Sequence, residues 1–131
     1  MKTTGIDHVV LRVRDLDRMI AFYRDVLGCE VAHRQDDLGL VHLRAGPSLI
    51  DLVDVAGTLG RKGGDAPTGS GNNMDHLCLR VADFDVDAIR GELLSHGVAV
   101  GDIAERYGAS GRAMSIYLRD PEGNGLELRA G

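Results

Sequence analysis

No apolar run in this chain approaches the ~20 residues that a helical bilayer crossing needs, so no membrane partner is expected. A basic excess is missing too: 15 Lys and Arg stand against 20 Asp and Glu, for a net charge of −5. Binding to nucleic acid requires a clustered basic face, which argues against nucleic acid as the main partner. Cysteine is scarce. Cys29 and Cys78 lie far apart and show no framework spacing, which excludes a disulfide scaffold. Met1-Lys2-Thr3-Thr4 leads straight into a strand pattern without the apolar core of a signal peptide. Together these absences point to a reducing cytoplasm. What remains is ordinary for a globular protein, 44% apolar and 27% charged, and 131 residues suffice for a single domain with a real core.

What the chain does contain is a repeat. The stretch Ile6-Asp7-His8-Val9-Val10-Leu11-Arg12-Val13-Arg14-Asp15-Leu16-Asp17 returns as Met74-Asp75-His76-Leu77-Cys78-Leu79-Arg80-Val81-Ala82-Asp83-Phe84-Asp85. Seven of the twelve positions are identical, where chance would give about one, so two copies of one unit are expected. The copies also close alike, with Leu49-Ile50-Asp51-Leu52 and Gly125-Leu126-Glu127-Leu128. Each unit is too small to be comfortable alone, so the two should share a core.

Within the first copy, residues 6–13 read as a strand, and Asp15 and Asp17 offer N-cap chemistry. Met19, Ile20, Phe22, Tyr23, Val26 and Leu27 recur at helical spacing, and Gly28 suits the position just past the helix. Residues 29–34, 38–44 and 48–55 form three further strands, broken by Gly39 and by Ala45-Gly46-Pro47. The second copy repeats this order: a strand over 74–81, a helix marked by Val86, Ile89, Leu93 and Leu94 and ended by His96-Gly97, then strands over 98–106, 112–118 and 125–129. The expected class is α+β, two tandem βαβββ modules spanning 5–55 and 74–131 in one domain of residues 1–131. The joining segment 56–73 has six glycines and reads as a flexible linker, with a lid or hinge as the sharper alternative. It lacks the context of a phosphate-binding loop.

Alternation along a strand puts His8, Val10 and Arg12 on one face, and His76, Cys78 and Arg80 on the matching face of the second copy. The intervening apolar residues should pack on the helices. A histidine opens each unit and a carboxylate closes it. If a two-fold relates the copies, His8 faces His76 and Asp51 faces Glu127. Two imidazoles and two carboxylates suit a divalent first-row metal with exchangeable positions left over, a catalytic arrangement rather than a structural one. His33, His42 and His96 show no such symmetry and read as structural or surface residues. Cys78 reads as inert packing, and Tyr107 and Tyr117 as core, with lining of the cavity as the alternative for all three.

Three stretches and the repeat now carry a resemblance. They are Asp7-His8-Val9-Val10-Leu11-Arg12-Val13, Ala21-Phe22-Tyr23-Arg24-Asp25-Val26-Leu27-Gly28, the second Asp75-His76 start, and Arg119-Asp120-Pro121-Glu122-Gly123-Asn124-Gly125-Leu126-Glu127-Leu128. Over its whole length the chain resembles the vicinal oxygen chelate superfamily, which includes glyoxalase I, extradiol dioxygenases, fosfomycin-resistance transferases and bleomycin-binding proteins. The resemblance implies an open eight-stranded half-barrel around a metal. It implies His8, His76 and Glu127 as ligands, and Asp51 where glyoxalase I has a fourth ligand, there a Glu one methylene longer. Arg12 falls where glyoxalase I holds the carboxylate of its thiol cofactor, which implies substrate binding; Arg80 repeats the pattern. The implied activity is that of a glyoxalase I-like lyase or isomerase. A divalent ion (Ni, Zn, Mn, Fe or Co) would chelate adjacent oxygens of a small substrate, with glutathione or another thiol as partner, while Glu127 or Asp51 moves a proton. The alternatives are Fe(II) extradiol ring cleavage, a fosfomycin-type thiol transfer, or metal-free drug sequestration. A homodimer is expected, as in other short members.

Overall fold

The computed structural model describes residues 1–131 and realises the repeat as two modules of like topology. In the first, β1 (His8–Val13) leads into α1 (Leu16–Ala21), which widens into a π-helical turn at Phe22–Val26. β2 (Glu30–Gln35), β3 (Leu40–Ala45) and β4 (Ser48–Asp54) follow. In the second, β5 (His76–Val81) leads to α2 (Val86–Ser95), then β6 (Ile103–Gly108), β7 (Gly111–Arg119) and β8 (Gly125–Ala130). The sheets run β1-β4-β3-β2 and β5-β8-β7-β6. The opening and closing strands of each module are parallel neighbours, and all other pairs are antiparallel. The expected α+β class with two βαβββ modules is what the chain adopts. Contacts divide it into Met1–Gly71 and Asn72–Gly131. No helix is long and apolar enough to cross a membrane.

Local chemistry sets the element ends. Asp15 caps α1 by accepting from the Arg18 amide at 3.0 Å, and Asp85 caps α2 through the Ala88 amide at 2.8 Å, each satisfying an orphan donor of the first turn. Gly28 ends the first helical segment in the left-handed region at φ 70°, as expected. The π turn carries the consecutive rings of Phe22 and Tyr23, both buried and edge to face with centroids 5.4 Å apart. Several strands begin later than the sequence pattern suggests. Ile6 is exposed and precedes β1, β3 starts at Leu40 rather than Leu38, β5 at His76 rather than Met74, and β6 at Ile103 rather than Val98.

Alternation sorts the faces as expected. Leu11, Val13, Val41, Leu43, Ile50 and Leu52 form the helix-side face of the first sheet, buried with Met19 and Ile20. In the second, Leu126, Leu128, Ile116 and Leu118 are buried along with Leu93 of α2. The opposite faces carry the polar side chains.

The glycine-rich segment is not a free spacer. The Arg12 guanidinium donates to the carbonyls of Gly60 (3.1 Å), Gly64 (2.6 Å) and Asp65 (3.1 Å), and Arg14 donates to that of Pro67 (2.8 Å). A Cβ at the buried Gly60 would lie 1.9 Å from the Asp54 carbonyl oxygen, so only glycine fits there. The flexible-linker reading is corrected for this stretch: the segment is strapped to the first unit as far as Pro67.

Candidate functional site

The Asp-His pair that opens each copy has one local geometry. His8 Nδ1 lies 2.7 Å from Asp7 Oδ1, and His76 Nδ1 lies 2.6 Å from Asp75 Oδ2. An ionised carboxylate only accepts, so each pair places the ring proton on Nδ1 and leaves the Nε2 lone pair available. Carboxylates orient metal-binding imidazoles in this same way.

In the second unit, β5 and β8 bring His76 and Glu127 together. Gly125 stands opposite His76 in register, and a Cβ there would fall 2.3 Å from the Asp75 carbonyl oxygen. Its bare backbone therefore permits the close approach of the two strands. The Asp120 carboxylate shapes the preceding turn, accepting from the amides of Glu122 (2.9 Å) and Asn124 (3.0 Å). Glu127 is buried, at 5% exposure, with Oε2 3.2 Å from His76 Nε2 and Oε1 without any hydrogen-bond partner. A proton on Nε2 would close that gap as an ion pair, and the same spacing fits two donors to one cation. Two bonds of ~2.0–2.2 Å meeting at a first-row ion set adjacent donors roughly 2.9–3.4 Å apart, which brackets the observed spacing.

Side chains of β7, β6 and β5 complete this face. Tyr117, opposite Glu127 in register, meets the His76 ring edge-on at 5.2 Å, and the Arg106 guanidinium lies 4.1 Å over the Tyr117 ring. Arg106 is held by Asp102 and by Ser115 Oγ at 2.8 Å. Tyr117 thus borders the candidate site instead of merely filling core, whereas Tyr107, at 81% exposure, is on the surface and corrects the core reading. Cys78 is exposed on the face of His76, opposite Glu127. Its thiol is pushed up to about 11, first by partial enclosure and then by the Glu127 carboxylate, as charge and as acceptor; Arg129 and Arg80 oppose this.

In the first unit Asp51 is equally buried, at 5% exposure. Its partner is His42, whose Nδ1 lies 2.8 Å from Asp51 Oδ1. His42 Nε2 lies 3.1 Å from the Gln35 amide nitrogen, and its ring stacks on His33 with centroids 5.7 Å apart. His42, read as a structural or surface residue, is thus a structural partner of the Asp51 carboxylate. His8 feels Asp51 only as charge: its pKa is raised above 6.5 chiefly by the Asp7 hydrogen bond, against desolvation, with Asp51 adding to the rise. Arg12 shares the face of His8, but its terminal nitrogens are committed to the strap described above.

The structure thus pairs His76 with Glu127 in one unit and sets His8 in the field of Asp51 in the other. No group of three or more His, Cys, Asp or Glu side chains is gathered closely enough to hold one ion.

Comparison with known proteins follows the same lines. The family model "Glyoxalase/Bleomycin resistance protein/Dioxygenase superfamily" matches residues 5–128. Virulence protein STM3117 of Salmonella typhimurium is 34% identical over 125 residues, 94% of this chain and 81% of that protein. Its crystal structure superposes with a TM-score of 0.78, covering 99% of this chain and 98% of that one. Catechol-2,3-dioxygenase of Bacillus subtilis is 26% identical over 97% of this chain but only 41% of its own length. The crystal structure of lactoylglutathione lyase from Agrobacterium tumefaciens is 25% identical, with a TM-score of 0.71 over 100% of this chain and 96% of that one.

Proposed function

The chain belongs to the Glyoxalase/Bleomycin resistance protein/Dioxygenase superfamily, and within it we propose a metal-dependent lyase or isomerase of the glyoxalase I type. His8 with Asp51 in the first unit and His76 with Glu127 in the second are the proposed ligands of a divalent ion, with Asp51 binding directly, through water, or as a neighbouring base. Such an ion supplies Lewis acidity, chelating adjacent oxygens of a small substrate and stabilising an enolate or oxyanion. Asp7 and Asp75 hold the two imidazoles in the ligating tautomer. Glu127 or Asp51 then moves a proton at the carbon beside the carbonyl.

The observation that carries this reading is Glu127: a buried carboxylate with one orphaned oxygen and the other 3.2 Å from an imidazole nitrogen. A buried anion left so is costly unless a cation meets it. The likeness to lactoylglutathione lyase supports the reaction class, with a hemithioacetal of glutathione or another thiol as substrate. Arg12 would bind an anionic group of that substrate only by giving up carbonyls of the strap. A homodimer in the cytoplasm completes the proposal; both cysteines are free.

The test is metal content and reactivation. The untagged protein is analysed for metals, stripped, and assayed with the methylglyoxal–glutathione hemithioacetal plus each of Ni, Zn, Mn, Fe and Co. One ion per chain with restored isomerisation, both lost in Glu127→Gln, is the expected result. Absence of metal binding under every condition would end this reading. The likeness to catechol-2,3-dioxygenase favours a second one, Fe(II)-dependent ring cleavage. Oxygen uptake with catechols, in place of isomerisation, would establish it.

A further inference from the structure

We propose that His42 is a positioning residue for Asp51, the inner member of a Gln35–His42–Asp51 relay that holds this carboxylate by one oxygen and directs the other into the site. The inference rests on the reading of Asp51 as part of a metal-dependent centre.

The relay lies within the first unit and runs across three strands. Register places His42 of β3 opposite Asp51 of β4, and Gln35 closes the β2–β3 hairpin opposite Leu40. Both nitrogens of the His42 ring are engaged, Nδ1 by Asp51 at 2.8 Å and Nε2 by the Gln35 amide at 3.1 Å. Proton direction follows from the end of the chain. The Asp51 carboxylate can only accept, so Nδ1 carries the proton, and Nε2 accepts from the Gln35 amide. With neither nitrogen to spare, the imidazole has none with which to bind an ion or a substrate. Its role is exerted through Asp51.

That role matters because the side chain is short. An aspartate reaches about one C–C bond, roughly 1.5 Å, less far than the glutamate it parallels in the second unit. Its placement must come from its surroundings rather than from its own length. The hydrogen bond from His42 engages Oδ1 while the carboxylate is 7% exposed, so Oδ2 is the oxygen left to act. The second unit does otherwise. At the matching register Tyr117 stands beside Glu127 and packs against His76, and Glu127 keeps an uncommitted buried oxygen. One carboxylate is held in advance; the other is not.

Two measurements test this. In the metal-free protein, imidazole ¹⁵N–¹H correlation should show His42 locked as the Nδ1-protonated tautomer, and Asp51→Asn should release it to a mixture. Mixed tautomers in the wild-type protein would overturn the relay. Separately, Zn(II) affinity is measured by chelator competition for wild type, His42→Leu and His42→Asn, with circular dichroism to verify folding. Loss of a group that orients a ligand costs ~10–100-fold in metal affinity. That loss is expected for His42→Leu, and His42→Asn, whose amide nitrogen replaces the Nδ1 donor, should recover most of it. Equal losses in both variants would show that the ring's bulk matters rather than its donor, and wild-type affinity in His42→Leu would show no positioning at all; either overturns the proposal. If the wild-type protein binds no Zn(II) or other divalent ion, the proposed function fails, and the tautomer measurement alone decides whether His42 holds Asp51.

Discussion

The thiol of Cys78 reports on Glu127 without any assumption about a metal. Enclosure on the sheet face and the adjacent carboxylate raise it from an ordinary 9.0 to about 11. At pH 7.5, two units above the ordinary value lower the thiolate fraction about 100-fold. A more basic thiolate is a better nucleophile, and with a Brønsted slope of ~0.4–0.5 this returns about 6- to 10-fold. Alkylation of Cys78 should thus run roughly 10- to 16-fold slower than that of an unperturbed thiol. The assay is iodoacetamide labelling of metal-free protein between pH 7 and 11, with peptide mass spectrometry separating Cys78 from the buried Cys29. The rate should rise about tenfold per pH unit up to about pH 10 and bend over toward pH 11. Glu127→Gln removes the charge and leaves the enclosure, so its inflection should fall below 11 yet stay above 9. A wild-type inflection at 9 or lower, or one that Glu127→Gln does not move, would show that Glu127 does not govern this thiol.

Other perturbations address the scaffold and the first half-site. Leu52 is fully buried, and Leu52→Ala should cost ~2–5 kcal/mol in urea denaturation; a change under 1 kcal/mol would contradict the packing. Gly125→Ala puts a Cβ 2.3 Å from the Asp75 carbonyl oxygen, so the β5–β8 pairing must shift; a lower melting temperature is expected, and an unchanged one would refute the close approach. Asp7→Asn removes the main cause of the raised His8 pKa, so the His8 NMR titration midpoint should fall toward 6.5. Because that pKa is raised, the stability it contributes is complete below 6.5 and is lost as pH rises through the folded value. A midpoint that stays in place in Asp7→Asn would discredit the Asp7–His8 bond.

Much of the fold was legible because the chain repeats itself. Identical Asp-His-x-x-Leu-Arg-Val starts, capping aspartates and glycine stops are local signals, and each produced the element it announces. The strand starts at 98 and 74 were misplaced because apolar residues extend beyond the paired stretch, and pairing depends on neighbours that periodicity cannot see. The strap was missed for a related reason. Six glycines within 56–73 read as entropy, yet at Gly60 the missing side chain is what lets the segment lie against Asp54, and the guanidinium that fastens it belongs to a strand 48 residues earlier.

The places of Tyr117 and His42 beside the closing carboxylates were not seen because symmetry was sought in residue type rather than in register. Residues 46–47 form a two-residue hairpin turn that pairs Ala45 with Ser48, and counting outward puts His42 opposite Asp51. In the second copy the turn is Asp120–Asn124, which pairs Arg119 with Gly125, and counting two positions outward puts Tyr117 opposite Glu127. The partner of each closing carboxylate was therefore computable from turn length alone. What could not be computed is the difference between them. A neutral imidazole can give a proton from one nitrogen while accepting at the other, so it can stand in the middle of a relay. The tyrosine is seen instead with its ring edge-on to His76 and its face under Arg106. The repeat thus supplies two equivalent frames, and the His-to-Tyr divergence on β3 and β7 gives one closing carboxylate a hydrogen-bond donor that its counterpart lacks at that register position.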